Sequence, residues 1–243
     1  MLDTIKIDAH QARMIAHRGL SGLEKENTCS AFVAAGNRAS YFGIETDVHR
    51  TADGHYIIFH DDNTARVGLD GMIVEQTTFD TLRHLQLTDI DGRRGRGDLI
   101  MPTLEEYILL CQKYGKDCVL ELNNPFPAKY IRAIISCIRG LGYLEHVIFI
   151  SFSLKNMICL RRLLPQQRAQ YLLDRFDAKA LAELQKYRLD LDIRYTSLTK
   201  EIVDQVHAIG QKVNCWTVNT AEDGAHMVEI GVDYITSNIL ESV

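Results

Sequence analysis

Short apolar or β-branched runs alternate with longer segments of helical periodicity along the whole chain. The runs are Arg13–His17, Phe42–Val48, Asp117–Leu122, Val147–Phe152, Ala169–Leu173, Asp190–Ile193, Val213–Val218 and Asp233–Thr236. Each has the length and bounding signals of a strand. The segments between them carry helix starts and stops. In Thr103-Leu104-Glu105-Glu106 the Thr hydroxyl and the Glu three residues on can satisfy each other's free backbone amides, and Gly115 supplies a stop. Thr199 and Thr220 give similar starts, while Gly210 and Gly231 stand where a helix end wants a left-handed residue. Strands and helices alternating with short connections imply a parallel sheet, and eight such strands favour closure into a (β/α)8 barrel over an open sheet.

The segment from about 62 to 101 breaks the rhythm. It is too long for a simple connection and carries Gly68, Gly71, Gly92, Gly95 and Gly97, so it reads as a small insertion after the second barrel strand. Before it, Thr51-Ala52-Asp53-Gly54 has turn chemistry and Tyr56-Ile57-Ile58-Phe59 is apolar. That pairing predicts a hairpin-like excursion returning His60 towards the barrel mouth. A barrel of this kind typically needs about 250 residues, so residues 1–243 are expected to form one domain.

Composition narrows the partners. A net charge of −5 without a long basic block gives no attraction for nucleic acid or for an anionic membrane, which leaves a small molecule as the expected partner. The six cysteines lie far apart with no Cys-x-x-Cys pair, as expected of buried thiols and not of a zinc site or a disulfide framework. Met1 to Arg13 is polar and mixed in charge, and no apolar run approaches the roughly 20 residues that span a bilayer. The expectation is a cytoplasmic protein with no stable membrane insertion.

Candidate chemistry begins at Glu45 and Asp47, which lie two apart in a predicted strand and therefore share a face. Two like charges on one barrel-facing surface are costly unless a cation joins them or one takes up a proton. Glu121 is the single charge at the end of the next apolar strand. Three carboxylates without histidine suit the hard cations Mg2+ or Ca2+ better than zinc. By spacing alone, ion pairing with Arg or Lys at a strand end accounts for the same acids equally well. His17-Arg18-Gly19 closes the first strand at the C-terminal mouth, and His60-Asp61 offers a second imidazole. One such imidazole on either side of a phosphodiester can serve as base and acid, and an Arg can grip phosphate. A lone His, by contrast, is more often a hydrogen-bonded structural residue.

The motif series adds to this. Ala16-His17-Arg18-Gly19 is followed by Glu26-Asn27-Thr28, Ala31-Phe32, Ile44-Glu45-Thr46-Asp47-Val48, Thr51-x-Asp53-Gly54 and His60-Asp61. Then come Pro102-Thr103-Leu104-Glu105-Glu106, Leu120-Glu121-Leu122, Ser151-Phe152, Trp216-Thr217-Val218-Asn219 and Gly231-Val232-Asp233-Tyr234-Ile235. In order and spacing the series resembles the glycerophosphodiester phosphodiesterase family over residues 15–238. The resemblance implies a TIM barrel with metal ligands at Glu45, Asp47 and Glu121, His17 and His60 as the acid–base pair, and Arg18 on the phosphate. It also implies Trp216 against the organic part of the substrate and an insertion after the second strand. The implied reaction is metal-dependent hydrolysis of a glycerophosphodiester to an alcohol and sn-glycerol 3-phosphate.

One position departs from the family pattern. Two residues after Glu121 the family usually has a phosphate-contacting lysine, and this chain has Asn123, which can donate a hydrogen bond but cannot neutralise charge. Arg93, Arg94 and Arg96 of the insertion offer a replacement if they reach over the mouth, although a charged glycine loop is more often just solvated. His49 shares the face of Asp47 and is expected to be structural. Two other readings stand beside the main one: a phospholipase D-like enzyme that releases a cyclic phosphate from lysophospholipids, and a silent phosphodiester-binding barrel suggested by Asn123 alone.

Overall fold

The computed structural model describes residues 3–67 and 71–243, so Gly68 of the insertion lies outside the described residues. The barrel strands are β1 (Arg13–Ala16), β2 (Tyr41–Arg50), β3 (Asp117–Leu122), β4 (Val147–Ser151), β5 (Ala169–Leu173), β6 (Asp190–Arg194), β7 (Val213–Trp216) and β8 (Tyr234–Ser237). Each pairs in parallel with its successor, and β8 pairs with β1, which closes the sheet. β3 and β5 coincide with their predicted ranges, and the other six differ by one or two residues at an end.

The helices are α1 (Cys29–Gly36), α2 (Phe79–Arg83), α3 (Leu104–Tyr114), α4 (Ala128–Gly140), α5 (Leu154–Leu163), α6 (Ala178–Tyr187), α7 (Lys200–Ala208) and α8 (Ala221–Ile230). All but α2, which belongs to the insertion, follow a barrel strand and pack their apolar stripe on its outer face. Their ends are set by local chemistry. Thr103 and Glu106 form the expected reciprocal cap at the start of α3, and Gly115 ends that helix in the left-handed region at φ 63°. Thr199 and Thr220 cap α7 and α8, and Gly231 ends α8 at φ 86°. After β8, where a regular barrel places its eighth helix, the strand Leu240–Ser242 pairs in parallel with Ile5–Ile7. This ribbon packs closely on α8 at Gly224, where a Cβ would come within 2.9 Å of both Ile7 and Leu240. Among the described residues, no helix is long and apolar enough to cross a membrane.

β2 continues past its neighbours, and Val48–Arg50 pair antiparallel with Tyr56–Ile58. The turn between them is held by a bond from the Gly54 amide to the Thr51 carbonyl (3.0 Å) and one from the Thr51 hydroxyl to Asp53 (2.7 Å). His60 thereby returns to the mouth as the turn chemistry predicts. The insertion has an apolar centre of its own, formed by Ile57, Phe59, Val67, Val74, Leu82, Leu87, Leu99 and Met101. A segment that buries such a cluster can hold a side chain in a fixed place over the mouth.

Gly19 sets the exit of β1. It sits at φ 77°, and an added Cβ would lie 2.7 Å from the Ala31 backbone, so α1 approaches as closely as only glycine allows. Gly115 has a similar φ of 63° but nothing within 4 Å of the Cβ position. Gly115→Ala should therefore cost about 1 kcal/mol from backbone strain alone. Gly19→Ala adds overpacking and should cost roughly 2–4 kcal/mol. Denaturant melts of both variants check this, and equal losses would mean that α1 shifts freely away from Gly19.

Candidate active site

The mouth is built from the C-terminal ends of the strands. Asp47 on β2 stands directly opposite Glu121 on β3 in the parallel register, with Glu45 two residues earlier on the same face. One carboxylate oxygen from each of the three lies within 4.8 Å of the others. Glu45 and Asp47 are buried, at 3% and 1% exposure. Burial pushes the carboxyl groups of Glu45 and Glu121 well above the usual range, and the neighbouring acids push them further. Such a knot of oxygen donors is the environment a hard divalent cation fits, since a cation removes the repulsion without costing the acids their charge. These are the three acids singled out in the sequence, and all their donor atoms here are oxygens.

His17, just past β1, continues the β1–β8 pairing through its amide to Ser237 O (2.9 Å). Its Nδ1 lies 2.6 Å from Asn238 Oδ1, an acceptor, so Nδ1 carries the proton and Nε2 presents a lone pair to the pocket, 3.9 Å from Glu45. Burial, assisted by the Arg18 charge, lowers the His17 pKa to about 4, so the ring is neutral at neutral pH. The left-handed conformation of Arg18, at φ 55°, aims its amide at Glu45 Oε2 (2.9 Å). The Arg18 guanidinium meets Glu26 (2.9 Å) and lies 3.8 Å from Asp47. Burial disfavours that charge, but Asp47, Glu26 and Glu45 together raise the pKa of Arg18.

In the excursion from β2, His60 Nδ1 lies 2.6 Å from Asp61 Oδ1, which holds the proton on Nδ1 and leaves Nε2 free. Asp61 is held in turn by Arg66 (2.7 Å), and Arg66 also grips Glu26 at 2.7 and 2.9 Å. Despite burial, the bonds from Arg66 and Arg18 pull Glu26 down to about 2. A continuous line of charges therefore runs His60–Asp61–Arg66–Glu26–Arg18 and ends on the carboxylate cluster. Asn27 joins it, donating to Asp47 Oδ2 (2.9 Å) and accepting from Thr46 (2.6 Å).

Trp216, at the end of β7, lines the same pocket beside Ile150, Phe152 and Leu172. Phe152 packs edge-on against it at 5.7 Å, and the Arg194 guanidinium lies 5.1 Å over its ring. The pocket also includes Asp192 of β6, which the sequence reading passed over. Burial lifts the Asp192 pKa to about 8 against a hydrogen bond from Asn214. Its strand, Asp190-Leu191-Asp192-Ile193-Arg194, carries three charges, so no lone acid marks it in the sequence; alternation alone sets Asp190, Asp192 and Arg194 on one face. Arg66 has no such signal, because only the folded insertion brings it to Glu26.

Asn123 is placed differently from the expectation of a substrate contact. Its amide donates to the His60 carbonyl (2.5 Å) and lies 3.2 Å from His49 Nε2, and Asn123 is not among the residues lining the pocket. His49 is fully buried in this support, next to Glu75. The insertion arginines do not reach over the mouth either. Arg96 is tied to Glu24 and Asp98 beside the start of α1, and Arg93 is an exposed partner of Asp91. Neither they nor Arg94 line the pocket, whose one permanently cationic side chain among the described residues is Arg18.

Comparison with known proteins gives the family and the fold. Residues 17–241 match the model of the glycerophosphoryl diester phosphodiesterase family. A glycerophosphodiester phosphodiesterase of Caldanaerobacter subterraneus is 28% identical, with 95% of each chain covered. The crystal structure of a glycerophosphodiester phosphodiesterase from Parabacteroides distasonis superposes with a TM-score of 0.77 at 26% identity, covering 94% of this chain and 93% of that one. An Oleispira antarctica phosphodiesterase, solved in complex with the product sn-glycerol-3-phosphate, gives a TM-score of 0.83 with 96% of each chain covered. At 24% identity that last likeness is one of fold.

The carboxylate cluster makes stability depend on pH. Because the folded pKa values of Glu45 and Glu121 lie above their unfolded values, the fold is favoured while these acids are protonated and loses stability as pH rises through the folded values. In EDTA the Tm should fall as pH rises above the ordinary carboxylate range, and Mg2+ or Ca2+ should abolish the fall. Glu45→Gln should raise the Tm in EDTA at the upper pH and blunt the response to cation. A Tm indifferent to both pH and cation would show that the chain compensates these charges by itself.

Proposed function

Because the chain belongs to the glycerophosphoryl diester phosphodiesterase family, we propose that it hydrolyses glycerophosphodiesters to an alcohol and sn-glycerol 3-phosphate. The observation that carries this reading is the meeting, at one barrel mouth, of three clustered carboxylates with two imidazoles whose Nδ1 protons are both fixed by acceptors. The three acids fit a divalent cation, Mg2+ or Ca2+, which Glu45, Asp47 and Glu121 would hold and which would supply electrophilic activation of the phosphoryl group.

The remaining chemistry belongs to the side chains. A neutral His17 with its Nε2 lone pair facing the pocket is suited to take the proton from the attacking hydroxyl. As the new P–O bond forms and the old one breaks, the departing alkoxide needs a proton, and His60, the second imidazole lining the pocket, is suited to give it. Asp61 Oδ1, 2.6 Å from Nδ1, fixes the orientation of that ring. Arg18 neutralises charge gathering on the equatorial oxygens, in the role that the family's lysine would share. Trp216 and Phe152 offer an apolar wall to the organic part of the substrate. The six cysteines all stand as free thiols, which suits a reducing, cytoplasmic setting.

The test is release of sn-glycerol 3-phosphate from a panel of glycerophosphodiesters and lysophospholipids with Mg2+, with Ca2+ and with EDTA. Product from the soluble diesters that disappears in EDTA is expected; product from the lipids alone would move the protein to the phospholipase D-like reading. His17→Ala and His60→Ala should each lower kcat by at least about a hundredfold, and a loss under tenfold would remove that histidine from proton transfer. Asn123→Lys should lower kcat without tightening KM, because it removes the amide that steadies the His60 carbonyl. A lower KM would show that the new ammonium reaches the phosphate.

A further inference from the structure

Among the described residues, four buried side-chain atoms have no hydrogen-bond partner: Arg18 Nε, Gln170 Nε2, Asp192 Oδ1 and Trp216 Nε1. Three of the four belong to side chains that line the mouth pocket. A buried polar group without a partner is costly and uncommon. Several around one cavity are complementary to a ligand that carries the missing partners. The two donors, Arg18 Nε and Trp216 Nε1, suit the acceptor oxygens of a phosphodiester. Asp192 carries a carboxyl group that can accept or, when protonated, donate, so its place in the barrel and not its hydrogen-bonding type separates it from the phosphate.

The position of Asp192 says which part of a substrate it faces. It lies on β6, level with Leu172 of β5 and Asn214 of β7, across the barrel from β2 with its Glu45 and Asp47. It stands outside the three-carboxylate cluster. Its neighbour Asn214 is already engaged, donating to Gln170 Oε1 (3.2 Å) and accepting from the Thr236 hydroxyl (3.1 Å). A substrate with its phosphate against the β1–β3 side extends its carbon chain towards β6 between Leu172 and Trp216, and what it meets there is a carboxyl group. This end of the pocket is closed, with Asp192 only 2% exposed, whereas the rim at Phe152 is 45% exposed. A closed end takes the part shared by all glycerophosphodiesters, and the open rim takes the variable alcohol.

We propose that Asp192 is a specificity-determining residue that hydrogen-bonds a free hydroxyl of the glycerol moiety through its unpartnered Oδ1. The inference rests on the reading of the substrate as a glycerophosphodiester. Asp192 selects the glycerol end of the substrate, and the phosphate is bound independently of it.

Calorimetric titration in saturating Mg2+ tests this with sn-glycerol 3-phosphate and with propyl phosphate, which matches it in carbon number and lacks both hydroxyls. Asp192→Ala should raise the Kd of sn-glycerol 3-phosphate by at least about tenfold, the loss of one hydrogen bond to a charged or strongly polar group, and leave the Kd of propyl phosphate within about twofold. Asp192→Asn, which keeps an oxygen in place, should bind sn-glycerol 3-phosphate more tightly than the Ala variant does. The propyl phosphate titration also reports whether each variant is folded. A parallel loss for both ligands assigns Asp192 to the support of the barrel, and no loss for either removes it from recognition; both results overturn the proposal. Turnover of glycerophosphocholine by the unmodified protein is measured alongside. Its absence defeats the functional reading, whereas its presence with an unselective Asp192→Ala defeats the role of Asp192 alone.

Discussion

Mutual repulsion among Glu45, Asp47 and Glu121 is the constraint around which the mouth is organised. Three acids with oxygens within 4.8 Å of one another, two of them almost fully buried, would not persist in a pocket designed for stability alone. The barrel imposes the cluster because β2 and β3 pair in a fixed register and their alternate side chains must point inward. The surrounding architecture then supplies compensation. Arg18 turns its amide and its guanidinium to the cluster, and Asn27 gives Asp47 a hydrogen bond.

The left-handed turn after β1 and the inserted segment meet in that compensation. Arg18 reaches the acids because Arg18 and Gly19 both take positive φ, and Gly19 allows the backbone of Ala31 to lie against it. Arg66, from the insertion, bridges Glu26 and Asp61. One ion-paired chain thus spans the pocket from His60 to Arg18, and each histidine has one ring nitrogen committed to a structural partner. Fixing Nδ1 in both rings is what makes the two Nε2 atoms available for chemistry.

The same organisation accounts for Asn123. A lysine there would have to hold its ammonium in the pocket, while the Asn amide donates outside it to the carbonyl of His60. Arg18 remains the one permanent cation lining the pocket among the described residues. At this position an amide supports the His60 carbonyl, and Arg96 of the insertion does not line the pocket but is bound to Glu24 and Asp98.

The sequence by itself determined the eight strands, the capped helices and the excursion that returns His60, because strand period, helix caps and turn residues act over a few neighbouring residues. It also determined which acids share a face, since alternation along a strand is a local property; Glu45 and Asp47 needed no neighbour to be read. The tertiary structure alone decided how charges from distant segments pair. Arg66 meets Glu26 forty residues away, Asp192 Oδ1 is left without a hydrogen-bond partner across the barrel, and Arg93 and Arg96 turn away from the mouth. Long side chains on loops have no periodicity to betray their direction, and their partners are fixed only when the barrel closes and the insertion buries its own apolar centre.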